Sequence, residues 1–595
     1  MTWQRKARFG VAGLAALAVV VAMVPGVRPT NASWVDAEWD AATLGSLRCS
    51  GNTDLSSRAT GRMVTGMLSG TSLDGLVGIT GLEVINDGTS SSAISGTPSA
   101  TSLGSDAFHA PLSAAVASAI FAGGSVSLPL NNGVGVYEQW AQAHDTGVST
   151  GASGAITNTG FIDTGAIAGG TAPTAGRLTL SSLPLVGAPL SGLTDVVLNI
   201  GAVASSATLD GCSLAWTGGA PTASQLQRDY RISTLNAQLT SAAVRALFGP
   251  TGTVPTLVSG AQTQVTNLFG TVGATGTAEA GIAGTALTSL TGAVSTALSS
   301  INVLGISVAV GTGSTTSTTI QLDMSTATSL ATGTLVEPGG AISVDLASGV
   351  VTVDVEKLAV GGLNGRLPNT SVLTTAQLAD VATRVSTLLT TRIAAITAAL
   401  QAALATATVS VQTDVKVAAT VPIVAPSGIN ALNVHMGYTG TLAQFAAGTQ
   451  TVSGPTVTIL SGTGIGGALL NPVLSALTTN LGTASAVTTS VVAAVVAQAY
   501  TPISATISTA QTTAATAAGV TASALDSTLA ALSSILSVTL NSQPDQTPFP
   551  NEPADAVQAG EYFVSALRIG VLDAPAGAPL LDLFLASSSV GSNAV

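Results

Sequence analysis

The chain has 595 residues and a mass of 57.9 kDa, and 8% of its residues are charged, against about 25% in an ordinary soluble domain. With 46% hydrophobic residues it does not pair low hydrophobicity with high charge, as disordered chains do, and its 66 glycines follow no three-residue collagen period. Its 17 basic and 29 acidic residues give a net charge of −12, with no basic run after the first ten positions, so the phosphate neutralisation that nucleic-acid binding needs is missing.

The N-terminus reads as an export signal over residues 1–32. Arg5, Lys6 and Arg8 precede an uncharged apolar run, 10–24, and Thr30-Asn31-Ala32 offers small residues for cleavage. The run is shorter than the ~20 residues of a membrane span, and Arg5-Lys6 is not a twin arginine, so the general secretory route is expected. Cleavage removes four basic residues (Arg28 is the fourth) and leaves 13 against 29, a net charge of −16. Two lysines then remain, Lys357 and Lys416. No later segment is expected to span a membrane. The apolar stretch 484–503 is interrupted by Thr, Ser and Gln and reads as a buried Ala/Val helix.

Region 33–220 is expected to be β-rich. Stretches 74–86 and 196–203 read as strands bounded by turn residues. Residues 110–121 read as a short helix, and 146–174 as a loop or weak sheet. Cys49 and Cys212 are the only cysteines, and in an exported chain they form a disulfide candidate. Such a bond would close a long loop.

Region 221–420 is expected to alternate helix and strand. Residues 222–248 show apolar residues at helical spacing, with Thr222 as N-cap and Gly249-Pro250 as the stop. A second helix, 285–300, runs into a strand at 303–310. Residues 341–355 read as a hairpin turning at Ala347-Ser348-Gly349. The strongest helix, 374–406, passes into a strand at 408–417. Region 421–541 continues this texture without charge: between 417 and 525 there is no Asp, Glu, Lys or Arg. Such a span must be covered by neighbours or coated in hydroxyls. Another helix-to-strand passage at 521–540 indicates a degenerate repeat. Residues 542–560 read as a Pro-rich linker and 561–595 as closing strands, with pairs at 562–572 and 580–587. The expected fold is α+β: β-rich sheets or a sandwich, with long Ala/Thr-rich helical hairpins packed on or inserted between strands.

The chemical motifs are weak. Gly147-Val148-Ser149-Thr150-Gly151 matches the nucleophile elbow, but no buried strand is read before it. Gly462-Thr463-Gly464-Ile465-Gly466-Gly467 lies between strand and helix as a dinucleotide fingerprint would, yet no acid follows until Asp526. Ser69-Gly70-Thr71-Ser72-Leu73-Asp74-Gly75 resembles the opening motif of anhydro-N-acetylmuramic acid kinases over that short stretch alone, and export would remove the chain from ATP. Leu367-Pro368-Asn369-Thr370-Ser371 resembles a sortase signal but ends in Ser and lies far from the C-terminus, so it reads as a loop. His109, His144 and His435 lack zinc-helix spacing. Glu138, Trp140 and Asp145 around His144 form a conceivable mixed site, with a solvated turn as the plainer reading. Asp36, Glu38 and Asp40 crowd the new N-terminus, and Asp345, Asp354 and Glu356 read as the solvated face of a hairpin. No catalytic, cofactor or metal residues are assigned.

Two stretches resemble a known family. Residues 30–40 (TNASWVDAEWD) resemble the cleavage region of actinobacterial surface proteins, and residues 564–594 (VSALRIGVLDAPAGAPLLDLFLASSSVGSNA) resemble the closing segment of the choice-of-anchor G family. That resemblance implies an exported protein of a Gram-positive actinobacterium, in a family whose members carry differing C-terminal anchors. It transfers no catalytic residue. The chain stops after SSSVGSNAV, where an anchor would begin. The expected function is therefore a secreted or cell-surface-associated structural or adhesive protein acting by binding surfaces without catalysis or cofactor. Its expected partners are the cell envelope, other surface proteins or further copies of itself. The alternatives are a secreted carbohydrate-active or cell-wall-processing protein, with two acids across a cleft beside Trp140 or Trp216, and a small-ligand or lipid carrier with an apolar pocket in 417–525.

Overall fold

A computed structural model describes residues 55–591 apart from 69, 74–79, 95–98, 113–116, 122–123, 129–136, 173, 181–192, 218, 270–281, 300, 302–306, 422–424, 461–466, 547–556, 558–559 and 573–579. The signal segment 1–32, the acids at 36–40 and Cys49 lie outside the described residues.

The fold is α+β, with four antiparallel sheets among the described residues. The first sheet has the order Thr370–Val372, Leu536–Ser542, Tyr562–Val571, Leu581–Val590, Ser57–Leu68, Leu82–Asn86, Ser91–Ile94, with Thr71–Ser72 beside Ser57–Leu68. The last strand thus lies between the first strand and its own hairpin partner, with Ala59 opposite Val590 on one side and Tyr562 opposite it on the other. Segments that composition separates (33–220, 421–541 and 561–595) share this sheet.

The second sheet has the order Leu226–Ile232, Val203–Asp210, Val148–Gly154, Tyr137–Ala143, Ala107–Leu112, Thr101–Gly104. It stacks on the first through very small residues. A Cβ on Gly61 would lie 2.3 Å from the Ala152 carbonyl oxygen, and one on Gly151 would lie 2.3 Å from that of Thr60. The backbones here are closer than the ~10 Å of ordinary stacked sheets. Ser205 and Ser588 share a 2.8 Å hydroxyl hydrogen bond across this buried interface.

The strand Leu581–Val590 is buried along its whole length. Phe563 and Phe584 meet edge to face at 5.8 Å, although Phe563 pairs with Ser589 and Phe584 with Arg568. Strict alternation would put Ser589 and Phe584 on opposite faces. The left-handed residue Ala586 (φ 49°) between them resets the alternation. On the face so formed, Arg568 and Asp582 make a buried ion pair at 2.8 Å.

The third sheet orders Thr334–Val336, Ile342–Asp345, Val350–Asp354, Leu235–Ser241, Leu193–Ile200, Gly176–Thr179, Gly124–Leu128, Ala117–Phe121. The fourth is built on the long hairpin Thr408–Val421 and Ala425–Thr441. Ser307–Val310 and Thr315–Gln321 both pair with its first strand, and Thr451–Ile459 pairs with its second. Around these sheets pack helices Ala242–Phe248, Thr253–Phe269, Ile282–Ser299, Ser325–Ala331, Thr375–Thr406 and the 69-residue Gly467–Ile535, about 100 Å long at 1.5 Å per residue. The core residues of the last helix, Leu470, Val473, Leu477 and Leu481, then Leu525, Leu529 and Leu532, recur at three and four as a packed seam requires.

Helix Thr375–Thr406 begins at a capping box in which the Thr374 side chain accepts from Gln377 N, and it passes directly into strand Thr408–Val421 as expected. By length and composition this helix could cross a membrane, but here its face from Leu378 to Leu404 is buried and it packs on Gly467–Ile535. The hairpin around 347–349 and the closing pair Tyr562–Val571 with Leu581–Val590 also match the sequence reading.

Two expected helices are strands. Residues 110–121 fall in Ala107–Leu112 and Ala117–Phe121; the first pairs with Tyr137–Ala143, and its Pro111 lies beyond the ladder to Thr101–Gly104, which ends at His109. Residues 222–248 form strands Leu226–Ile232 and Leu235–Ser241 followed by one short helix, Ala242–Phe248, capped by Ser241 and ended at Gly249. Within each strand, Tyr230 and Ile232, then Leu235, Ala237 and Leu239, satisfy a period of two once the strands are paired. The stretch 146–174, read as a loop or weak sheet, contains an interior strand of the second sheet, Val148–Gly154.

Gly151→Ala must push a methyl into the Thr60 carbonyl and is expected to lower unfolding free energy by about 1–3 kcal/mol in urea titration. Gly519→Ala, where a Cβ meets nothing within 4 Å on an exposed helix face, is expected to raise it by roughly 0.5–1 kcal/mol.

Candidate functional site

The outward face of the fourth sheet is the most regular polar surface of the described residues. Along Thr408–Val421, the residues Val409, Val411, Thr413, Val415 and Val417 are buried while Ser410, Gln412, Asp414 and Lys416 face out. The partner strand buries Val434, Met436 and Tyr438 and leaves Asn433, His435 and Thr439 more accessible. Register lines these up in rows across four strands: Thr319, Ser410, Thr439, Thr451; then Ser317, Gln412, Gly437, Ser453; then Thr315, Asp414, His435, Thr456. Lys416, Asn433 and Thr458 begin the next row.

Neighbours in a row stand about 4.8 Å apart, and successive rows stand about 6.8 Å apart along the strands. The result is a grid of hydroxyls and amides, the threonines on β-branched stems, whose buried counterparts pack the sheet against the core. Within it, Gln412 Nε2 donates to Ser410 Oγ at 3.1 Å. Asn433 Nδ2 donates to Asp414 Oδ1 at 2.7 Å, and His435 Nδ1 lies 3.2 Å from the same oxygen. The outer strand Thr451–Ile459 carries Pro455, which has no N–H, and its ladder shifts register between His435 and Gly437. Both features blunt this edge of the sheet against strand addition; the opposite edge is formed by Ser307–Val310 and Thr315–Gln321.

The residues singled out by motif do not assemble into a reactive centre. Ser149, the elbow candidate, is fully buried in an interior strand of the second sheet. His144 pairs with Asp106 (3.2 Å), which also accepts from Ser91 Oγ at 2.8 Å, while Glu138 pairs with His109 at 3.5 Å. The grouping of Glu138, Trp140 and Asp145 around His144 is therefore not formed. Trp140 is buried and donates Nε1–H to the Asn158 carbonyl, and Trp216 is 65% exposed on the short helix Gly211–Thr217. Asp345 accepts from the Ala347 and Ser348 amides, and Asp354 caps the turn Val355–Leu358 and pairs with Lys357 at 3.0 Å. Those carboxylates serve turns.

Thr370–Val372 is an edge strand, so the sortase-like stretch is partly structured. Of the Gly-rich stretch 462–467, only Gly467, the start of the long helix, is described. Among the described residues no group of three or more His, Cys, Asp or Glu is placed to hold a metal. Cys212 lies in Gly211–Thr217 and is not a free thiol; its expected partner, Cys49, lies outside the described residues. Sequence reading missed the grid. Its signal was the Thr315–Gln321 run beside two alternating strands, but only the pairing shows that their polar faces coincide.

One family model, a domain of unknown function (DUF8394), matches residues 59–591. The chain belongs to that family. The matched span runs from Ala59 to Gly591, closely the interval between the first and last strands of the first sheet, where Ala59 stands opposite Val590. No curated protein and no solved structure matches the chain.

If Cys49 and Cys212 are paired, a maleimide reagent labels neither before reduction and both after it. Cys212→Ser is then expected to lower stability by about 2–5 kcal/mol under oxidising conditions, as removal of a native disulfide does. Ready labelling of the unreduced chain would dismiss the pairing.

Proposed function

We propose that this DUF8394 protein is exported and works at the cell surface as a structural or adhesive component, by binding and not by catalysis. The observation that carries the reading is the hydroxyl and amide grid of the fourth sheet, a regular polar face with a single acid, a single lysine and a single histidine among its rows. A surface of that kind recognises an extended polar partner through many short hydrogen bonds, and envelope polymers and the proteins bound to them present such partners. The charged n-region, apolar h-region and small-residue cleavage site support export. The resemblance to choice-of-anchor G proteins agrees with a surface location. The proposed disulfide suits an oxidising exterior.

The test separates producing cells into medium, wall and membrane and follows the mature chain. Recovery in the wall fraction, with release by denaturant more readily than by salt and without muralytic enzyme, is the expected result. Purified protein should bind isolated envelopes, and the double substitution Ser317→Glu, Thr439→Glu should weaken that binding at least tenfold. Such exposed changes should shift stability by only about 0.5 kcal/mol. Recovery solely as free monomer in the medium, without envelope binding, would sink the proposal. Retention in the membrane with residues 1–32 attached would overturn the cleavage reading.

A further inference from the structure

Helix Thr253–Phe269 packs on the middle of helix Gly467–Ile535, and between them runs a cavity of about 320 Å³. Its lining comes from one face of each helix. Thr253, Thr256, Leu257, Gly260 and Ala261 recur at three and four on one side, and Ile507, Ala510 and Thr513 recur at three on the other. The slot therefore follows the helices for about two turns, roughly 12 Å.

Threonine is prominent in the lining, which would ordinarily make it polar. The hydrogen bonds say otherwise. Thr256 Oγ1 donates to the Gly252 carbonyl at 2.7 Å, Thr509 Oγ1 to Ala505 at 2.9 Å and Thr513 Oγ1 to Thr509 at 3.0 Å. These three hydroxyls are turned back onto their own helices, which leaves their methyls to line the slot; Thr253 stands at its end, at the start of its helix. A Cβ on Gly260 would meet nothing within 4 Å, so the slot has room beside that residue. Neither helix supplies a countercharge: Asp526 is the sole charged residue in the two, thirteen positions beyond Thr513.

The slot is open to water along Thr253, Thr256, Thr509 and Thr513, which are exposed, and is buried at Ala261 and Ile507; a polar or ionised group pressed onto that buried floor would lose hydration and gain no partner. An apolar ligand faces no such penalty, and the volume is at the lower end of small-molecule sites. The slot is elongated along the helices for roughly 12 Å, which suits the terminal part of an unbranched chain. We propose that this slot binds one unbranched hydrocarbon chain of a free amphiphile, with the head group left in water. This site is independent of the polar grid and of the surface reading.

The full mature chain is titrated with cis-parinaric acid, a fluorescent fatty acid, and the probe is then displaced by hexadecanol or by palmitate. Saturable binding at one site is expected. Because no charge lines the slot, the alcohol and the acid should displace the probe within a few-fold of one another. Gly260→Leu and, separately, Ala510→Leu fill the slot and should weaken probe binding at least tenfold. Gly519→Leu adds the same side chain to the same helix at an open position outside the lining and should bind as the unmodified chain does. Circular dichroism melting establishes that each variant is folded, and two independent filling variants keep the test decisive if one is not. Absence of saturable binding, or equal binding by all three variants, would overturn the proposal. A strong preference for palmitate would overturn the headgroup-free geometry. Co-sedimentation with phosphatidylcholine vesicles in place of displacement by free hexadecanol would assign the slot to a membrane-held chain and overturn the free amphiphile.

Discussion

The placement of one strand constrains everything else. Leu581–Val590 lies between Ser57–Leu68 and Tyr562–Val571, and both of its faces are buried. The first sheet is complete only when Ser57–Leu68 pairs with Leu581–Val590, and the second sheet stacks on the small residues that this pairing presents. Gly61 and Ser588 then approach Ala152 and Ser205 across the interface. A one-residue slip would flip side chains to the wrong face. It would also part Arg568 from Asp582, leaving a buried charge alone, a loss of about 3–5 kcal/mol. Phe584 adds to the same register, since the Arg568 guanidinium lies 5.8 Å from its ring centroid. Pairing of such distant segments gives the fold a high contact order, which slows folding and makes exactness of register matter more than the strength of any single contact.

Threonine has opposite roles in the two kinds of element, and this explains how a long uncharged span is covered. On the fourth sheet, Thr315, Thr319, Thr439 and Thr451 stand on a pleated strand and their hydroxyls face outward. On the long helix, Thr478, Thr509, Thr512 and Thr516 donate to the carbonyl four residues back. A strand carbonyl is already engaged in its ladder, whereas a helix carbonyl lies within reach of the side chain one turn later. The same residue type therefore gives a polar surface on one element and a more apolar one on another.

That distinction also marks what was legible in the sequence. Long periodic segments with clear caps were readable: helix Thr375–Thr406 with its Thr374 box, the hairpin around 347–349, and the closing strands. The stretch 222–248 was not, because Leu226 and Tyr230, and again Leu235 and Leu239, stand four apart, which one face of a helix and one face of a strand both allow. The partner strands Val203–Asp210 and Leu193–Ile200 decide between them. The helix expected at 110–121 failed for the same reason, since pairing with Tyr137–Ala143 outweighs local Ala content. Composition separated the N-terminal region from the closing strands because neither carries any trace of the other until they pair. The grid shares this limit. Each strand shows its alternation, but the alignment of four polar faces is a property of register alone.

The low charge of the grid shapes how it can act. An intramolecular or interfacial hydrogen bond exchanged with water is worth only about 0.5–1.5 kcal/mol net, so a few hydroxyl contacts give little affinity. A useful surface of this chemistry must make many contacts at once and must not lose much freedom in making them. Threonines on a strand meet both needs, since β-branching restricts χ1 and the ladder fixes their spacing. With few charges in its rows, such binding would depend weakly on ionic strength, unlike long-range steering between charged surfaces. It would also select for partners that are themselves repetitive, because only a repeating array of donors and acceptors can engage several rows together. The family match from Ala59 to Gly591 covers both the strands of the grid and the strand pairing of the first sheet.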